Sequence, residues 1–193
     1  MKKIVFCVLM FLTTACSWRS PQSKFYMMDS AGLQPLSERN MKVAVTRVRV
    51  PDILDKAQIV VSRKQNSNDQ VRELEIMEFH RWAEVFPEVL QNTVTNDLIA
   101  YLPKSYVERS YFDSKTARYN VNIEVNNIQA YENDKVIIEA WWSIKNVAGN
   151  VVKQGQGRYE VPVKGKGIAA LVSAESEAVH QMSKEIAEAL IKL

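Results

Sequence analysis

"YNVNIEVNNIQAYENDKVIIEAWWSIKNVAGNVVKQGQGRYEVPV", residues 119–163, decides the fold. Tyr119, Val121, Ile123 and Val125 alternate with Asn120, Asn122, Glu124 and Asn126, the two-residue period of a strand with one apolar and one wet face. The short turn-forming stretches ENDK and VAGN separate three such segments, so the region reads as an antiparallel meander. Trp141 and Trp142 are consecutive within it, and consecutive side chains of a strand point to opposite faces. One belongs to the core. The other packs beneath a helix or lies on a surface open to a partner or a lipid, aromatic side chains being enriched at interface centres.

Working outward, "VKGKGIAA" follows the meander and places Gly165, Gly167 and Ala170 in a G-x-G-x-x-A spacing. A dinucleotide fingerprint needs a further parallel strand carrying an acid, and none follows in this sequence. The glycines read instead as a tight strand-to-helix turn. Val172, Val179, Met182, Ile186 and Leu190 then share one stripe of a helix over 169–192. Upstream, Val89, Leu90, Val94, Leu98, Tyr101 and Leu102 recur at helical spacing, with Pro87 suited to the first turn and Pro103 stopping the run.

"MKVAVTRVRVP", from Met41, is a strand whose alternation slips between Val45 and Val48, which predicts a bulge or burial on both faces. "QIVVSRK" from Gln58 is a second strand, "QNSNDQ" from Gln65 a turn or loop, and Phe25–Met28 a short early strand. The order is strand, strand, helix, three strands, helix: a single α+β domain over 25–193, with an antiparallel or mixed sheet covered by two long helices.

The N-terminus has a different character. Lys2 and Lys3 precede an uncharged run from Ile4 to Leu12, and the small residues Thr13, Thr14 and Ala15 lead to Cys16. That is the layout of a signal peptide over 1–15, too short to span a bilayer, which takes about 20 apolar residues. Thr-Thr-Ala-Cys resembles a bacterial lipobox, in which Cys16 is acylated on sulfur and becomes the new N-terminus; Thr13 stands where leucine is usual. The alternative is a plain signal peptide ending near an incidental cysteine. Cysteine usage favours the lipid: the only other cysteine, Cys7, lies in the leader, so an exported chain would keep one unpaired thiol where compartments of that kind use pairs. Three acyl chains would hold the protein on a membrane permanently. Residues 16–24, interrupted by Pro21, form a lipidated tether. Ser17 stands where enterobacterial-type lipoproteins retained at the inner membrane have aspartate, and this resemblance points to the outer membrane of a Gram-negative bacterium, facing the periplasm.

Loss of Lys2 and Lys3 from the 25 basic residues leaves a near balance with the 22 acidic ones, so no nucleic-acid surface is expected. His80 and His180 have no ligand neighbours at metal spacing, and neither a metal nor another cofactor is expected. No G-x-S-x-G elbow, Walker loop or H-E-x-x-H pair occurs, and serines such as Ser105 and Ser183 have no base marked out for them; a hydrolase is the enzyme-class alternative. In "EFHRWAEVFPEVL", Arg81, Trp82 and Glu84 either lock the start of the first helix onto the core or contact a partner.

"VAVTRVRVPDILDKAQIVVSRK", "EFHRWAEVFPEVLQNTVTNDL" and "AVHQMSKEIAEAL", in that order, resemble the PqiC-like (YmbA-type) ABC-transport auxiliary lipoproteins. The resemblance is carried by the valine-rich strand ending at Pro51, by Leu54, Asp55, Lys56, Gln58, Ile59 and Val60 in an L-D-[RK]-x-Q-I-V segment, and by Arg81, Trp82, Ala83 and Glu84 as the R-W-A-E that opens the first long helix. Ile53 stands where the family often has tyrosine, and Val85 and Phe86 precede Pro87 where the family passes directly to Pro-Leu. The resemblance implies a non-enzymatic accessory subunit of an MCE-type (Pqi-like) intermembrane lipid transport system. Its implied partners are an MCE-type periplasm-spanning protein, the inner leaflet of the outer membrane through the acyl chains, phospholipid as a candidate ligand, and further copies of itself in a homo-oligomer such as a ring. Cys16 is then the anchor, and Arg81, Trp82 and Glu84 are the partner contacts. The rival reading is an envelope-assembly or bridging lipoprotein that handles no lipid.

Overall fold

The computed structural model describes residues 21–63 and 72–193. The signal peptide expected over 1–15, Cys16 and the loop expected from Gln65 fall outside the described residues. The elements are β1 (Lys24–Tyr26), β2 (Lys42–Val45), a 3-10 turn (Asp52–Leu54), β3 (Gln58–Arg63), β4 (Glu73–Trp82), α1 (Phe86–Tyr101), β5 (Tyr106–Arg109), β6 (Tyr119–Ala130), β7 (Lys135–Asn146), β8 (Val151–Pro162) and α2 (Gly167–Ile191). The expected α+β order holds, with β4 and β5 added to it. The strands form two sheets, one of three strands in the order β1-β4-β3 and one of five in the order β5-β2-β6-β7-β8.

The meander is the backbone of the larger sheet. β6 and β7 pair antiparallel, Ile123 facing Trp142 and Val121 facing Ile144, and β7 and β8 continue the pattern with Trp142 opposite Gly155. A Cβ on Gly155 would sit 2.4 Å from the Trp142 ring, and one on Gly157 would sit 2.3 Å from the Tyr159 ring. Glycine at these two positions is therefore what lets two aromatic rings lie flat on β8.

β2 is parallel to both of its neighbours, β5 and β6, which makes the sheet mixed. Lying between them, it has Val43, Ala44 and Val45 all without solvent exposure. Beyond Val45 the chain keeps company with β6 but misses a step: Thr46 N–H donates to Val121 O at 2.9 Å, and the next backbone donor to β6 is Arg49, to Ile123 O at 3.1 Å. The skipped residues turn Val48 back into the core. The slipped alternation of valines thus records both burial on two faces and a bulge.

Both helices cover one face of the five-stranded sheet. Leu90, Val94 and Leu98 of α1 and Leu171, Val179, Met182, Ile186 and Leu190 of α2 are buried in the same cluster as Val121, Ile138 and Ile144. The turn into α2 uses left-handed backbone at Gly165 (φ 120°) and Gly167 (φ 78°), as the glycine spacing predicts. One boundary differs from expectation. Arg81 and Trp82 close β4, and α1 begins only at Phe86, so R-W-A-E ends a strand and leads to the helix rather than opening it. Trp82 N–H is committed to Ala57 O at 2.6 Å, a strand contact, and Pro87 holds the first helical turn.

Candidate functional site

The face of the five-stranded sheet that the helices leave uncovered carries a groove of about 1060 Å³. Its floor is built from the wet positions of the meander, and Trp141 stands on it, 59% exposed, while Trp142 on the opposite face is 4% exposed. Tyr111 and Phe112, from the connection between β5 and β6, form part of the wall. That connection is held at both ends. Gln91 of α1 donates through Nε2 to Val45 O and Ser110 O, each at 2.9 Å, and the buried Asn120 side chain accepts from Ser114 N–H at 2.6 Å while donating to Ser114 O at 3.0 Å. Two rings that solvent would otherwise leave mobile are thus presented by a fixed loop.

Charges in and beside the groove are paired. Arg49 meets Glu124 at 2.9 Å, Lys145 meets Asp113 at 2.9 Å, and Arg47 approaches Asp55 at 3.7 Å. Thr46 Oγ1 gives its one proton to Val121 O at 3.0 Å, so toward the Asn122 side chain, also 3.0 Å away, it is an acceptor, and the Asn122 amide donates to it.

A second constellation lies between the helices. His180 on α2 donates from Nδ1 to Asp97 Oδ2 of α1 at 2.9 Å, and its Nε2 lies 3.0 Å from Asp29 O and 3.2 Å from Ser176 Oγ. Serine, histidine and aspartate in contact suggest nucleophilic catalysis, but the hydrogen bonds assign another role. A carbonyl only accepts, so Nε2 donates to Asp29 O, and Nδ1 donates to the carboxylate. A ring donating from both nitrogens is an imidazolium and has no lone pair with which to deprotonate Ser176. Burial pulls the His180 pKa down, but the hydrogen bond to Asp97, that carboxylate's charge and the Asp29 carbonyl outweigh it and leave the value above that of an ordinary histidine. The cluster is a buried clasp tying α1, α2 and the segment after β1. Beside it on α2, Glu175 is fully buried, and burial alone raises its pKa to about 8, so it is neutral at neutral pH. Among the described residues no group of three or more His, Cys, Asp or Glu is placed to hold a metal.

The residues singled out from the sequence are distributed differently. Cys16 is outside the described residues. Trp82 is 3% exposed, with its ring 5.2 Å from that of Phe86. Arg81 is half-buried and faces Phe25 of β1 across the small sheet, and the exposed Glu84 accepts from Asn92 Nδ2 at 2.7 Å. They form one corner of the domain, away from the groove. His80 is taken up by Tyr26, whose hydroxyl lies 2.7 Å from its Nδ1. Sequence reasoning missed Tyr111, Phe112, Asn122 and Asp97. Asn122 had a signal, its place on the wet face of the strand, whereas the other three are joined to their sites only by tertiary structure.

Among proteins with curated descriptions, none matches the chain. Among solved structures, the crystal structure of an uncharacterized protein superposes with a TM-score of 0.69 at 20% identity, covering 88% of this chain and 99% of that one. Protein XCC0632 from Xanthomonas campestris superposes with a TM-score of 0.68 at 17% identity, covering 85% and 92%. Identities this low establish a shared fold. A family model described as the ABC-type transport auxiliary lipoprotein component matches residues 27–187. With that match extending over nearly the whole folded domain, the chain belongs to the ABC-type transport auxiliary lipoprotein family.

Proposed function

We propose that the protein is an acylated, non-enzymatic accessory subunit of an MCE-type (Pqi-like) lipid transport system, anchored through Cys16 in the inner leaflet of the outer membrane. The observation that carries this reading is the match of residues 27–187 to the ABC-type transport auxiliary lipoprotein family. No described helix is long and apolar enough to cross a membrane, so a lipid on Cys16 would supply the attachment. Ser17 to Ser23 separate that cysteine from β1, a reach of at most about 25 Å, so the three-stranded sheet stays close to the bilayer. The corner formed by Arg81 and Glu84, positioned from within by Trp82, sits on that sheet and its exit, where it would meet a periplasm-spanning partner. Further copies of the chain would complete a homo-oligomer around the conduit.

Affinity capture of the full-length protein from gently solubilised envelopes, with mass spectrometry of its N-terminus and its partners, tests this. The expected result is a triacylated Cys16 and enrichment of an MCE-domain protein, the latter weakened by Glu84→Lys. A free thiol on a protein released with the periplasm would defeat the anchor, and an acylated protein without any MCE-domain partner would defeat the transport role.

A further inference from the structure

The groove on the open sheet face has a chemistry that the transport reading leaves unused. Three classes of occupant can be weighed against it. An anion needs uncompensated positive charge, and the cations here are already matched: Arg49 by Glu124, Lys145 by Asp113 and Arg47 by Asp55. An acyl chain needs dry walls, yet it would cover the exposed amides of Gln154 and Gln156. Each polar group covered without a hydrogen bond costs roughly 1 to 3 kcal/mol, so a lipid tail would lose on the floor what it gained on the rings.

A neutral, hydroxyl-rich ring meets both requirements. Its C–H faces carry partial positive charge and suit the negative face of an indole, such as the 59% exposed Trp141. Its hydroxyls both donate and accept, matching the amides of Gln154 and Gln156, which also do both. The self-neutralised charge of the groove is complementary to an uncharged ligand and to little else. Tyr111 and Phe112, fixed on their pinned loop, supply further flat surface beside Trp141.

We propose that this groove binds a neutral glycan strand, with a sugar ring stacked on Trp141 and hydroxyls held by Gln154 and Gln156. The inference stands on the groove alone and does not depend on the transport assignment.

Isothermal titration calorimetry on the full-length protein, held in a non-glycosidic detergent, tests it with two probes: the tetramer of N-acetylglucosamine and maltoheptaose. Saturable binding of at least one is expected, unchanged between about 0.05 and about 0.5 M salt because no ion pair is made. Trp141→Ala should weaken it about tenfold or more, as loss of one stacking platform does. The double variant Gln154→Ala with Gln156→Ala should weaken it about three- to tenfold. Circular dichroism confirms folding of each variant, and Trp141→Phe, which keeps a flat ring, should restore most of the affinity. Absence of saturable heat with both sugars overturns the proposal, as does binding that survives Trp141→Ala. Salt-sensitive binding of phosphatidylglycerol vesicles through the same residues, without sugar binding, would assign the groove to an anionic surface instead.

Discussion

The two faces of the five-stranded sheet are made by the same strands, one residue apart, and have opposite fates. On the covered face Trp142 lies against Gly155 and beneath the helices; on the open face its neighbour Trp141 stands in a groove. Alternation along a strand is enough to separate a ring that holds the domain together from one that is free to meet a ligand. What completes the separation is the helix layer, which covers one face only and brings with it the buried ion pair of Asp97 and His180 and the neutral Glu175.

The contrast is most exposed to failure at the tryptophans themselves. Trp142→Ala should cost about 3 to 5 kcal/mol in denaturant unfolding, the usual toll of emptying a buried indole site. Asp97→Ala should cost a similar or slightly smaller amount, about 3 to 4 kcal/mol, because it strands the buried His180 imidazolium. That loss has a pH signature. His180 has a raised pKa in the fold, so its contribution is complete below the ordinary histidine value of about 6.5 and disappears as pH climbs through the folded value. In a Glu175→Gln background, which removes the other group of raised pKa in this window, urea melts from pH 5 to 9 should show a downward step that adding Asp97→Ala abolishes.

Glu175→Gln should act in the opposite sense. With its folded pKa raised to about 8, Glu175 contributes fully below about pH 4.5, and stability falls as pH rises toward 8, where folding must hold a proton the unfolded chain releases. The variant should be more stable than the parent by on the order of 4 kcal/mol at pH 8, with the difference vanishing near pH 4, measured by the same melts. The smallest effect belongs to the open face: Trp141→Ala should move the unfolding midpoint by no more than about 0.5 kcal/mol. A large destabilisation there would mean the open face is part of the core, and the division between the faces would collapse.

The meander, the glycine turn and the stripe of α2 were legible because each is local: a period of two, a φ that only glycine adopts readily, a repeat on one helical face. β4 was hidden by its bulge. Gln58 pairs with Arg81 and Val60 with Ile76, so the strand takes up extra residues opposite Ile59, and Leu74, Ile76, Met77 and Phe79 do not alternate. β5 is four residues long and pairs in parallel with β2, far from it in the chain, so no turn announced it. The same distance concealed the clasp, since Asp97 and His180 are separated by 83 positions and meet only because α1 packs on α2. Half of the groove could be read as the wet face of a strand; the half made by Tyr111, Phe112, Arg47 and Arg49 arrives on loops whose course depends on the finished sheet.

The interior position of β2, between β5 and β6, has a consequence for the timing of folding. Its two neighbours are β5 and β6, and Arg49 completes its contacts only with Glu124 and Val125, so a chain emerging from its N-terminus exposes Val43, Val45 and Val48 until about two-thirds of it has been made. Contacts so distant in sequence form slowly and late. A polypeptide threaded through a membrane as an extended strand benefits from that delay, because nothing near its leading end can collapse into a shape too wide to pass.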